Sequence, residues 1–205
     1  ALKNKDQILH NFKKHCEETA NTCSRMNYEK TFEYLLLEYP FAFFQNCFTC
    51  SAIPDTNAMA SQIVGEIVNV VSPRFYSDGF VSKLTPSFYM FYHELGYYEY
   101  DISQTGTWLS SDNYANSFFA PQNIKINFDI TYLNMLNKFI SDPATEKIIF
   151  IYGELDPYTA LQANIGNNKN CLKFIVANGC HKSRIKDLTA EQQEQLLKQL
   201  NIWLQ

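Results

Sequence analysis

The sequence predicts an α/β fold in which a mostly helical region precedes two short parallel strands and their helices. Three observations predict it. Ile148-Ile149-Phe150-Ile151-Tyr152 is an apolar run too short for a helix and rich in β-formers, as expected of a strand buried on both faces of a parallel sheet. Leu172-Lys173-Phe174-Ile175-Val176 has the same character and comes after a polar, helix-compatible spacer. Before about residue 100 the apolar residues keep helical spacing and no strand signal appears.

Taken in order, residues 3–20 read as a helix with Ile8, Leu9, Phe12 and Cys16 on one face, and Asn21-Thr22 breaks it. Ser24 is the expected N-cap of the second helix. Tyr28 to Phe48 is nearly continuous apolar sequence, long enough for a helix that Pro40 should kink or split. After the Ile53-Pro54-Asp55 turn a helix runs from Thr56 or Asn57 to about Val71, and Ser72-Pro73 stops it. Phe80 to Leu95 reads as another helix, ended by Gly96 and preceded by a turn with Ser77 or Asp78 as cap. From Ile102 to Asn127 the pattern dissolves, which suggests a connection between units. Asp129 to Ile140 and Thr189 to Leu204 are the remaining helices. The expected division is a helical cap over residues 1–127 and an α-β-α-β-α core segment over 128–205.

Composition narrows the function. The 205-residue chain has a formal net charge of −4, without the basic excess expected of a nucleic-acid binder. No apolar run approaches the length of a membrane span, and residues 1–20 are amphipathic and charged, without the apolar core of a signal peptide. The six cysteines lie in sequence-local pairs. Cys16 with Cys23 is the expected disulfide, because these residues bracket the gap between two helices. A bridge from Cys171 to Cys180 would have to fold back along a strand and is not expected. Cys47-x-x-Cys50 reads as a zinc or redox half-site or, better, as a pair of buried thiols. No metal or cofactor is called for.

Chemistry concentrates after the two strands. The first ends at Gly153 with Asp156 before Pro157; the second ends near Gly179 with His181. Acid then base, each in a loop after a strand, is the closing half of an α/β-hydrolase, where they come after the nucleophile in the order Ser, Asp, His. No G-x-S-x-G precedes them. Asp156 also reads as an ordinary Asp-Pro turn, and His181 as a surface loop histidine. Cys180, next to His181, is a remote candidate for a thiol nucleophile. Two parallel strands cannot bury both faces and both edges alone, so the segment should dock on a larger sheet.

Four stretches carry a family resemblance. They are Tyr39-Pro40-Phe41-Ala42-Phe43-Phe44-Gln45; Phe75-Tyr76-Ser77-Asp78 with Pro86-Ser87-Phe88-Tyr89; Glu94-Leu95-Gly96-Tyr97-Tyr98-Glu99-Tyr100-Asp101; and Tyr152-Gly153-Glu154-Leu155-Asp156-Pro157-Tyr158-Thr159-Ala160 with the turn around His181. Together they resemble the secreted bacterial tripeptidyl aminopeptidases, serine peptidases of the α/β-hydrolase fold. Phe44, Glu99, Tyr158 and Cys180 depart from that family's pattern. The resemblance implies a C-terminal part of a longer protein, with the cap, the acid Asp156 and the base His181, and with the serine in a missing N-terminal half. It implies Glu94 as the anion for a free substrate N-terminus, Tyr97 and Tyr98 as pocket lining, a peptide substrate, and a secreted or periplasmic location. Two other readings stay open: a non-catalytic peptide-binding module, and another hydrolase of carboxypeptidase or esterase type.

Overall fold

Helical spacing turns Ile8, Phe12 and Cys16 inward on α1 (Lys5–Glu18), and all three are buried. The structure is a computed structural model describing residues 4–103, 105 and 108–205. The chain divides into two compact units, one formed by residues 1–40 and 49–130, the other by 41–48 and 131–205.

α2 (Tyr28–Gln45) continues through Pro40 as one helix. Pro40 has no N–H to bond the carbonyl a turn earlier, and the division between units falls at this weakened point. The start of α2 is held by Asn27, whose side-chain oxygen accepts the Lys30 N–H at 2.7 Å. Ser24, the expected cap, instead donates its backbone N–H to Asp78 Oδ2 at 2.7 Å.

In the first unit α1 packs against α3 (Ala60–Val70), which buries Ala60, Val64, Ile67 and Val70. α4 (Asp78–Met90) widens into a π-turn over Phe91–Leu95 and ends at Gly96, whose φ of +81° suits glycine. Tyr34 of α2 is fully buried among the rings of Tyr76, Tyr100, Tyr114 and Phe119, at centroid distances of 5.8, 6.1, 5.2 and 5.3 Å. The described part of the 102–127 stretch is pinned here by buried Glu33. Its carboxylate accepts the Ser110 backbone N–H (2.9 Å), the Ser110 hydroxyl (2.7 Å) and the Tyr114 hydroxyl.

The second unit holds α5 (Ile130–Ser141, entered from the first unit), β1 (Ile148–Gly153), β2 (Cys171–Val176) and α6 (Ala190–Trp203). β1 and β2 pair in parallel, from Ile148 opposite Cys171 to Gly153 opposite Val176. Phe174, Val176, Leu188 and Leu196 form the core, with Ile149, Ile151, Leu172 and Leu200 against it. Thr189 caps α6 by exchanging bonds with Gln192.

Two expectations for this unit fail. The spacer between the strands is not an α-helix: it makes a short 3-10 turn over Pro157–Leu161 and then loops. Asparagines compete for the backbone there, Asn164 Oδ1 accepting the Gly166 N–H and Asn168 Oδ1 the Asn170 N–H. Nor is β1 buried on both faces: Ile148 to Tyr152 are all half-buried, with Ile149 and Ile151 against the core and the rings of Phe150 and Tyr152 stacked on each other.

Candidate active site

The site forms where the loops after β1 and β2 are drawn together. Gly153 allows this, because a Cβ there would collide with the backbone of Gly179 and Cys180. The sheet ladder then continues past the strand ends. Glu154 N–H donates to Val176 O (3.0 Å), Leu155 N–H to Gly179 O (2.8 Å), and Asn178 N–H to the Glu154 carboxylate (2.8 Å).

Asp156 leaves this zipper as a buried residue, 6% exposed, capping the 3-10 turn. Its Oδ1 accepts the Tyr158 N–H at 3.2 Å, and its Oδ2 lies 2.7 Å from His181 Nδ1. An ionised carboxylate only accepts, so Nδ1 carries the proton in this bond. The Nε2 lone pair of the neutral imidazole is left over. No hydrogen bond engages Nε2 among the described residues, and the His181 side chain is 57% exposed. The Tyr158 ring lies 5.5 Å from the imidazole. The sequence expects the pair within hydrogen-bond reach, and the parallel strands deliver it.

The cysteines differ from expectation. Cys47 is joined to Cys180 in a disulfide with Cα atoms 5.3 Å apart, while Cys16, Cys23, Cys50 and Cys171 are free. Cys50 is exposed, so Cys47 and Cys50 are not a pair of buried thiols. Cys16 faces the core of α1, where burial and then the nearby Cys23 push its thiol up to about 12. With Cys180 oxidised, no thiol nucleophile stands beside His181. The bridge joins the end of α2 to the histidine loop, and His181 N–H also donates to Gln45 O at 3.1 Å. Sequence-local pairing could not reveal a bond separated by 133 positions.

The remaining predicted residues lie in the first unit. Glu94 sits half-buried on the π-turn and has no ion pair or hydrogen bond among the described residues. Tyr97 stacks on Phe91 at 5.1 Å and also meets Phe88 and Tyr92. Tyr98 donates its hydroxyl to Glu38 Oε2 at 2.8 Å. Sequence reasoning does not single out Glu38; a carboxylate inside the apolar run of α2 is the available signal. A cavity of about 630 Å³ in this unit, walled by Ile8, Leu9, Phe32, Glu33, Ile63 and Trp108, contains none of the predicted site residues. Among the described residues no group of three or more His, Cys, Asp or Glu is placed to hold a metal ion.

A buried carboxylate bonded to an outward-facing imidazole, each after one of two neighbouring parallel strands, has the geometry of the acid–histidine pair of a hydrolase. The comparisons give the class its family. The family model described as PS-10 peptidase S37 matches residues 5–204, and the chain belongs to this peptidase family. It is similar to the prolyl tri/tetrapeptidyl aminopeptidase of Streptomyces mobaraensis, 20% identical over 224 aligned positions. That alignment covers 99% of this chain and 44% of the relative, so the chain spans less than half the relative's length. No solved structure matches the chain. No described helix is long and apolar enough to cross a membrane.

Proposed function

We propose that the chain supplies the cap and the acid-and-base half of a serine exopeptidase that releases short peptides from free N-termini. Residues 1–127 act as the cap and 128–205 as the closing segment of an α/β-hydrolase core. The observation that carries this reading is the 2.7 Å bond from Asp156 to His181, with Nε2 open to solvent. His181 takes the proton of a serine hydroxyl at Nε2, and Asp156 fixes the tautomer and stabilises the imidazolium. The serine stands outside these 205 residues, on polypeptide that continues the sheet beyond β1. Two features support this. Among the described residues β1 pairs on one edge only, and α5 buries none of its apolar residues, leaving Tyr132, Met135 and Phe139 exposed at 47%, 64% and 57%. Glu94, Tyr97 and Tyr98 serve the substrate side, Glu94 as a charge for the free amine. The Cys47–Cys180 bridge suits an oxidising, secreted or periplasmic setting.

The test is serine labelling by a fluorophosphonate. A longer protein containing these residues should be labelled and should cleave peptides. The 205-residue chain alone should do neither, and adding the separately made remainder should restore labelling. Hydrolysis by the chain alone would sink the proposal, and an intact protein that binds peptides without labelling would make it a binding module.

A further inference from the structure

The His181 side chain is 57% exposed and its imidazole is tethered by one hydrogen bond, so Asp156 alone does not fix the plane of the ring. An imidazole held at Nδ1 can still tilt about that bond, and water competes for the proton in it. Among the described residues, the ring contact that His181 makes is with Tyr158, at a centroid distance of 5.5 Å and an interplanar angle of 53°.

The turn that carries Tyr158 is fastened at three points. Asp156 caps it, Oδ1 accepting the Tyr158 N–H at 3.2 Å and the carbonyl accepting the Thr159 N–H at 2.9 Å. Pro157 sets the backbone of the first turn position. The buried Thr159 hydroxyl donates to Gly153 O at 2.6 Å and ties the turn back to the end of β1. Tyr158 is nevertheless 49% exposed, so core burial does not account for its ring.

An aromatic ring in this place has two effects on the pair. When the imidazole takes a proton at Nε2, positive charge spreads over it, and a π-system within about 6 Å attracts that charge. The ring also keeps water from one side of the Asp156–His181 bond, and opposite charges attract more strongly where water is excluded. The nearby cations act on backbone instead: Arg184 Nη1 donates to the His181 carbonyl at 3.2 Å, and Lys182 Nζ to Asn46 O at 3.4 Å.

We propose that Tyr158 is a positioning residue for the acid–histidine pair. Its backbone N–H orients the Asp156 carboxylate, and its ring walls the imidazole so that Nδ1 keeps its proton and Nε2 stays the open nitrogen. The catalytic meaning of that role rests on the peptidase reading above.

The test uses the 205-residue chain carrying ¹⁵N in its histidines, with His181 assigned through His181→Gln. Exchange of the Nδ1 proton with water is the quantity measured. Tyr158→Ala should speed it about 5-fold, the size of one aromatic contact, and admit the Nε2–H tautomer. Tyr158→Phe keeps the ring and should behave as wild type. Unchanged exchange in Tyr158→Ala, or the same acceleration in Tyr158→Phe, would overturn the role. The amide of residue 158 should stay equally protected in both variants; a parallel rise in its exchange would reduce Tyr158 to a structural residue. Should Tyr158→Ala fail to fold by circular dichroism, nuclear Overhauser contacts between the two wild-type rings decide, and their absence overturns the role. In a longer protein containing these residues, Tyr158→Ala should lower kcat about 5-fold with KM unchanged, and a change confined to KM would count against it. Serine labelling of that protein is measured separately, so its failure would remove the peptidase reading and leave the exchange result standing.

Discussion

Glu33 in the helical unit and Asp156 in the sheet unit are both buried carboxylates, 2% and 6% exposed, and they end in opposite ways. Glu33 spends its oxygens on Lys5, Ser110 and Tyr114, tying α1 and the 102–127 stretch to α2. Asp156 spends one oxygen on its own turn and passes the other to an imidazole that is 57% exposed. A buried charge whose partners are engaged in the fold holds it together; one whose partner faces water is available for chemistry. Glu38 stands between them, half-satisfied by two phenols.

Substitutions should separate the two kinds. The largest effect is expected at the histidine. On the function proposed above, His181→Ala in a longer protein containing these residues should lower peptide turnover by roughly 10⁴-fold or more, with an unfolding midpoint close to wild type. A small loss would move His181 from chemistry to structure. Glu33→Ala should act inversely, costing on the order of 3 kcal/mol in urea unfolding of the chain, because it leaves the Ser110 and Tyr114 donors without their acceptor. An unchanged urea midpoint would erase the contrast with Asp156.

The disulfide tests whether the histidine loop depends on the end of α2. Replacing both Cys47 and Cys180 by Ser should cost about 2–4 kcal/mol and speed hydrogen exchange at the His181 amide, which donates to Gln45. Unaltered exchange would show that the sheet alone fixes the loop. Thr189→Ala, which removes the α6 cap, should cost only ~1 kcal/mol by thermal melting. The smallest effect concerns pH. Glu38 titrates higher when folded than unfolded, so its contribution to stability is full below about pH 4.3 and is lost as pH rises through the folded value. Between about pH 4 and 7, Glu38→Gln should therefore lose less stability than wild type. An equal or larger loss would deny that burial works against the Glu38 charge.

By itself the sequence determined the local order of the chain. Strand length and helical spacing are short-range properties, and the strands and long helices appear close to where the residues predict them. The same logic placed Asp156 and His181 at the ends of neighbouring parallel strands, because that topology puts successive loops on one edge. Tertiary structure decided the rest. It carried α2 through Pro40 and joined Cys47 to Cys180 rather than Cys16 to Cys23. It also set Tyr98 and Tyr100 on Glu38. Each of these depends on which distant side chains arrive at a given point. Sequence spacing carries no distance for residues far apart in the chain; only packing brings them within bonding range.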